Sequence, residues 1–174
     1  MLTKLSAAFA ALCLLSGAAF AQNAAKPTDP QVAHIAYTAD EIDIKAAEQA
    51  LAKSRNKEVR AFAQQMVRDH TAVNKQAQVT PEDNDTSRSL LKQADEKSSE
   101  LAKLRGAAFD RAYADNEVAY HKTVNGALET TLIPSASNPE LKSLLETGLK
   151  IFQGHEQHAE HVAADLKAAQ TSRR

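Results

Sequence analysis

Apolar residues recur at three- and four-residue steps along most of the chain, which is the spacing of one face of an α-helix. One such stripe has a histidine in its middle and consists of Val59, Phe62, Ala63, Met66, His70, Val73 and Ala77. The alternating, β-branched pattern typical of strands is missing. The sequence therefore predicts an all-α protein with a polar residue inside one of its apolar faces.

Four long helices and one additional helix are predicted from these stripes and from the residues that cap or break helices. The predicted ranges are 29–54, 57–79, 87–104, 107–131 and 139–168, with a loop over 133–138. The first two helices should form an antiparallel hairpin, because the connection between them is short. Gly148 lies on the stripe of the last helix and predicts a close approach of a neighbouring helix at that point.

The N-terminal segment has the features of a cleaved secretory signal over residues 1–21: Lys4, an apolar run, and Ala19-Phe20-Ala21 as the cleavage site. The domain organisation predicted for the rest is a disordered linker over 22–28, a helical-bundle domain over 29–168 and a frayed tail over 169–174. The single cysteine, Cys13, lies inside the predicted signal. We therefore expect an exported protein of the periplasm or cell envelope, without disulfides.

The charge balance and the motifs of the chain limit the classes of function that it can have. The formal net charge is −1 at pH 7, so no broad basic surface attracts nucleic acid. No transmembrane segment is expected in the mature chain, and an envelope protein partner or a homo-oligomer both remain open. Motifs for nucleophilic catalysis, phosphate loops and haem attachment are missing. An enzyme is therefore the least favoured class, and no catalytic residue is proposed.

Two sequence blocks and one histidine resemble a known family. The blocks are Glu58-Val-Arg-Ala-Phe-Ala-Gln-Gln-Met-Val-Arg-Asp-His70 and Gly106-Ala-Ala-Phe-Asp-Arg-Ala-Tyr113, and the histidine is His121 with its surroundings. Together they are similar to the exported bacterial family known as domain of unknown function 4142. The resemblance covers residues 32–166. It implies a ferritin-like helical bundle outside the cytoplasm and no established biochemical activity.

The chain departs from the pattern of that family at three positions. The family generally has Glu where this chain has Asp43, and Met where this chain has Glu117. The residue before His121 is often acidic in the family, whereas it is Tyr120 here. A function that depends on these side chains need not be shared with the family.

Polar residues on four different helices are predicted to meet at one level. If helix 87–104 is the long crossover of ferritin-like folds, the helices that begin at 57 and 107 start at the same end of the bundle. At a rise of 1.5 Å per residue, four side chains then lie within about 5 Å of one another along the bundle axis. They are Asp43, His70, His121 and His155, and Glu117 lies one turn before His121.

Two interpretations of this polar layer compete. In the first, the layer is a hydrogen-bonded polar core that only supports the fold. In the second, it is a metal site for Zn, Fe, Mn or Cu, with the ligands Asp43, His70, Glu117, His121 and His155. A ferritin-type di-iron site is disfavoured, because it requires Glu-x-x-His on two helices and this motif does not occur.

Three other polar residues near the layer are assigned to the surface. His158 and His161 are predicted to lie on a solvated face. Asp69 points away from the apolar stripe and is interpreted mainly as a surface charge, with pairing to Arg68 or Arg111, or orientation of a neighbour, as the alternative. The function predicted for the whole chain is an exported ferritin-like bundle that binds a transition metal in the layer. The alternative is a non-catalytic envelope or stress-related protein that acts through its surface.

Overall fold

A computed structural model describes residues 26–77 and 79–172 of the chain. The elements are α1 (Asp29–Lys53), α2 (Lys57–Asn74), α3 (Asp85–Ala102), α4 (Gly106–Ala127), a π-helical turn (Leu128–Leu132), α5 (Ile133–Ser135) and α6 (Pro139–Thr171). The described residues contain no strand, which confirms the predicted all-α bundle. The predicted signal and most of the predicted linker lie outside the described residues, as do the last two residues of the chain.

The helices begin where short polar side chains can satisfy their first N–H groups. Asn56 Oδ1 accepts hydrogen bonds from the backbone N–H groups of Glu58 and Val59 at the start of α2. Asn138 does the same for α6, with proline at the first helical position. Gly106 begins α4 with φ at +54°, a left-handed conformation that glycine adopts without steric cost. The chain can therefore reverse from α3 into α4 within a few residues.

The additional helix α3 carries the chain back along the bundle, as the predicted crossover requires. His34 near the start of α1 contacts Ser87 near the start of α3, with 2.8 Å between Nδ1 and Oγ. Further along, Gln49 Nε2 donates to the carbonyl of Ser98 at 3.2 Å, so α3 runs parallel to α1. Helices α2 and α4 consequently start at the same end. Helices α1, α2, α4 and α6 form the bundle, and α3 packs mainly on α1.

Two apolar cores lie on either side of the polar level. The upper core is near the α1–α2 turn and contains, among others, Ala47, Phe62, Met66, Phe109, Tyr113 and Val162. The lower core is at the opposite end and contains, among others, Val32, Ile35, Leu128, Leu132, Leu145 and Phe152. The polar side chains are therefore enclosed by apolar packing from both directions.

Three local predictions are corrected by the structure. Helix α2 ends at Asn74 instead of near residue 79, because Ala77 is exposed and has no core to cover. The predicted loop over 133–138 is helical up to Ser135, since the π-helical turn continues α4 into α5. At Gly148 a Cβ would lie 3.4 Å from the ring of Phe152, and no other helix comes within 4 Å of it. This glycine makes room for a ring and not for a neighbouring helix.

Within the described residues, none of the helices combines the length and the apolar character needed to cross a membrane.

Candidate metal centre

Five polar side chains from four helices meet between the two cores. Each is at most 2% exposed: Asp43 on α1, His70 on α2, Glu117 and His121 on α4, and His155 on α6. The ring centroids of the three histidines are 5.3 to 5.9 Å apart. These are the five residues predicted from the sequence, and the structure brings all of them together.

The donor atoms form two overlapping groups. One nitrogen from each of His70, His121 and His155 lies within 4.8 Å of the other two. One atom from each of Asp43, Glu117 and His121 meets the same limit, so His121 belongs to both groups. Nitrogen and carboxylate donors are therefore placed side by side.

In two of the histidines, the ring nitrogen that faces away from the layer, called the outer nitrogen, makes a hydrogen bond that fixes the orientation of the ring. His121 Nδ1 is 3.0 Å from the backbone carbonyl of Glu117, and because a carbonyl can only accept, Nδ1 carries the proton. His155 Nε2 donates to Asp69 Oδ2 at 3.1 Å. In the neutral rings the other nitrogen, Nε2 of His121 and Nδ1 of His155, keeps its lone pair and faces the interior without a partner.

His70 has the same arrangement with one additional ion pair. Its Nδ1 donates to Asp40 Oδ1 at 2.7 Å. Its Nε2 lies 2.6 Å from Asp43 Oδ2, although the N–H does not point at that oxygen in hydrogen-bonding geometry. The ring also stacks on Phe152, with centroids 4.4 Å apart and planes at 10°. Outer hydrogen bonds and packing therefore fix the orientation of all three imidazoles, which is how proteins orient histidine ligands of metals.

The inner atoms of the layer lack hydrogen-bond partners in the protein. Among the described residues, eleven buried side-chain N and O atoms have none, and seven of these belong to the layer. The seven are both carboxylate oxygens of Asp43, both of Glu117, Nε2 of His70, Nε2 of His121 and Nδ1 of His155. Buried polar groups are normally paired, so this concentration of free donors and lone pairs needs a specific explanation.

Two aspartates hold histidines of the layer, although neither belongs to the predicted ligand set. Asp40 is buried and holds His70, and its position one turn before Asp43 was the signal that could have found it. Asp69 is not a plain surface charge: one of its oxygens bonds His155 and the other accepts from Arg68 Nε at 2.9 Å. The alternative interpretation of Asp69 is therefore the one that the geometry supports.

The pKa values of the carboxyl groups are moved in opposite directions. Burial by itself raises the pKa of Asp43, but the facing His70, with smaller contributions from His121 and Glu117, lowers it to about 2. Burial and the neighbouring charge of Asp43 raise the pKa of Glu117 well above its usual value. At neutral pH Asp43 is therefore ionised, whereas burial beside Asp43 favours the protonated form of Glu117.

The three histidines differ in charge. Burial lowers the pKa of His70, but the two aspartates Asp43 and Asp40 outweigh burial and raise it to about 10. Burial lowers the pKa of His155 to about 4 despite its bond to Asp69, and burial also lowers the pKa of His121. His121 and His155 are thus neutral at pH 7, the form that binds metals, while His70 has a proton to release.

The remaining aromatic and histidine side chains near the centre have supporting or peripheral positions. Tyr120 Oη donates to the carbonyl of Ala39 at 2.7 Å, as expected of a core tyrosine with a polar partner. Tyr113 is buried, and its hydroxyl has no hydrogen-bond partner among the described residues. His161 is exposed and pairs with Asp165, and His158 is hydrogen-bonded to Gln65, so neither reaches the layer.

Fold and site together define a helical-bundle protein whose buried histidine and acid groups could hold a metal ion. The chain belongs to the family described as domain of unknown function (DUF4142), whose family model matches residues 15–162. Neither the search of curated proteins nor the search of solved structures found a match. The arguments for function therefore come from the geometry of the site.

Proposed function

We propose that this protein binds a transition-metal ion in the buried layer, with Asp43, His70, Glu117, His121 and His155 as the ligand set. The observation that carries the proposal is shared by all three histidines. In each ring one nitrogen is held by an oxygen acceptor and the other faces the layer. Nε2 of His121 and Nδ1 of His155 have no hydrogen-bond partner there, and Nε2 of His70 faces Asp43 Oδ2 at 2.6 Å. Oxygen acceptors on the far side of the ring set the tautomer and direction of histidine ligands.

The distances suit an ion after small side-chain movements. Ligands about 2.1 Å from a tetrahedral ion are about 3.4 Å from one another. The three histidine nitrogens lie within 4.8 Å of one another, so binding an ion requires them to move closer by about an ångström.

The donor set selects a class of metal. Three imidazoles with one or two carboxylates and no thiolate fit Zn²⁺, Fe²⁺, Mn²⁺ or Cu²⁺. Mg²⁺ and Ca²⁺ prefer sites made of oxygen ligands and do not fit three nitrogens. Because residues 1–21 have the pattern of a secretory signal, we place this metal handling outside the cytoplasm, in the periplasm or cell envelope.

A purely structural polar layer, in a protein that acts through its surface, is the competing interpretation. Such a layer would be expected to pair its carboxyl and imidazole groups with one another. Here the contact between His70 and Asp43 is the close pair, while the inner nitrogens of His121 and His155 have no hydrogen-bond partner. Leaving polar atoms unpaired costs stability, and a bound ion would satisfy them together.

Metal analysis of the purified, untagged protein tests the proposal. The protein is prepared without chelators, and its metal content is measured by mass spectrometry before and after incubation with Zn²⁺, Cu²⁺, Fe²⁺ or Mn²⁺. Near-stoichiometric metal is expected in the parent protein. His70→Ala and His121→Ala should lose it, because each removes an inner nitrogen.

His161→Ala is the matched control, since this histidine is exposed and outside the layer. It should retain the metal content of the parent protein. A folded parent protein that takes up none of the four metals would overturn the proposal. Equal metal loss in His161→Ala would place the ion at the surface instead.

A further inference from the structure

The lower core contains a cavity directly beside the metal centre. Its volume is about 70 Å³ and it lies between α1, α2, α3, α4 and α6. Most of its walls are aliphatic, with Ile35, Val124, Leu128 and Leu145 among the lining side chains. The upper core, which packs on the opposite side of the layer, is built around Phe62, Phe109 and Tyr113 instead.

One aromatic ring connects the cavity with the metal centre. Phe152 lines the cavity and also stacks on His70 with 4.4 Å between ring centroids. Gly148 lines the cavity one turn before Phe152, and a Cβ at this position would lie 3.4 Å from the Phe152 ring. The cavity therefore shares Phe152 with the packing around His70.

Few polar side chains line the cavity, and three of them have partners. Asp40 Oδ1 accepts from His70, Asn74 Nδ2 donates to Glu41, and Thr123 Oγ1 donates to the carbonyl of Ala119. The fourth, Tyr37, is exposed, so the cavity is open to solvent on that side. A bound water needs about two to four polar partners, whereas apolar cavities take up small apolar molecules. The apolar walls therefore favour an uncharged, apolar occupant over an ion.

We propose that this cavity is a binding site for a small, uncharged, apolar molecule of the size of dioxygen or xenon. An apolar cavity of about 150 Å³ holds benzene, so a cavity of about 70 Å³ suits a smaller molecule. An uncharged gas can reach such a place without the desolvation cost that ions incur. The site would hold this molecule next to the centre, and it does not require a bound metal.

Xenon is the probe for this site. Binding is followed by ¹²⁹Xe NMR on the folded, metal-free protein over a range of xenon pressures, with the site located by the shifts of lower-core methyl groups. One saturable site is expected. Leu145→Phe, which places a larger side chain against the cavity, should weaken xenon binding by about tenfold or more.

Leu91→Phe is the matched control, because Leu91 is an exposed leucine that does not line the cavity. It should bind xenon as the parent protein does. If Leu145→Phe does not fold, Gly148→Ala replaces it: its added Cβ meets only the Phe152 ring and should weaken binding severalfold. No saturable binding in the parent protein, or equal binding in the filled variant, would overturn the proposal.

Discussion

The upper core and the polar layer below it are built from the same four helices but differ in how completely their side chains are packed or paired. In the upper core Phe62 meets Tyr113 edge to face and Phe109 stacks on Tyr113, in both cases with centroids 6.2 Å apart. In the polar layer below, Asp43 on α1 and Glu117 on α4 have carboxylate oxygens without hydrogen-bond partners. The comparison indicates that the upper core stabilises the fold. The layer instead lowers stability, because it buries polar atoms that lack hydrogen-bond partners.

Removing an aromatic ring from the upper core should have the largest effect on stability. Phe62→Ala is expected to lower the free energy of unfolding by about 3–5 kcal/mol, because the fully buried ring leaves a cavity. Denaturant unfolding of the metal-free protein measures the loss. Leu91→Ala, at an exposed leucine, should cost far less. If both variants lose the same free energy of unfolding, the upper core does not contribute more to stability than an exposed leucine.

The layer should instead make stability depend on pH. His70 has its pKa raised from 6.5 to about 10, so its contribution is complete below pH 6.5 and is lost as the pH rises towards 10. His155 has its pKa lowered from 6.5 to about 4, so stability is also lost as the pH falls from 6.5 towards 4. These two histidines by themselves make the metal-free protein most stable near pH 6.5, with alkaline losses on the order of a few kcal/mol from His70. The raised pKa of Glu117 adds a further loss of stability as the pH rises above 4.5.

Urea unfolding at several pH values separates these two contributions. His70→Gln removes the group that titrates between 6.5 and 10, and should flatten the alkaline side of the profile while leaving the acidic side. An unchanged alkaline loss in this variant would show that another group is responsible. The pH dependence of stability would then not come from His70 in the layer.

Changing the outer partner of a histidine should affect the metal and leave the fold intact. Asp69→Asn removes the carboxylate that holds His155 Nε2, and is expected to weaken metal binding by about 10- to 100-fold. Competition with a chromophoric chelator measures the affinity. Asp165→Asn is the matched control, since Asp165 pairs with the exposed His161 at 3.2 Å. If both variants bind metal like the parent protein, Asp69 does not orient a ligand.

The smallest expected effect is a gain in stability at Glu117. Glu117→Met replaces a buried, unpartnered carboxyl by an apolar side chain and should stabilise the metal-free protein by about 1 kcal/mol. Glu117→Gln keeps a polar group at the position and should give no such gain. Thermal unfolding compares the two variants. Destabilisation by Glu117→Met would mean that the carboxyl is satisfied in the folded protein.

The sequence could predict the fold and the level of the layer because both follow from helical periodicity. The stripe through Met66 and His70 on one helix, and the matching position of His155 on another, required only the rise per residue and the crossover. The hydrogen-bond partners of the histidines were harder to predict from the sequence. Asp69 is adjacent to His70 but bonds His155 on α6, and the pattern of a single helix does not show which neighbouring helix a flanking side chain will reach.

Local deviations of the backbone were also missed for physical reasons. The π-helical turn over Leu128–Leu132 adds a residue to one turn and keeps the chain helical up to Ser135, although Pro134 signals a break. Gly148 indicated a close helix approach, but the space beside it is taken by the ring of Phe152 from the same helix. Which neighbour fills the space at a glycine is decided by three-dimensional packing.

Anomalous diffraction from crystals of the metal-loaded protein, recorded at the absorption edge of the bound metal, locates the ion. We predict one peak inside the bundle, about 2.0–2.1 Å from Nε2 of His70, Nε2 of His121 and Nδ1 of His155. A peak only at the surface, for example beside His158 and His161, would contradict it. So would an interior that remains without metal while the three outer hydrogen bonds are intact.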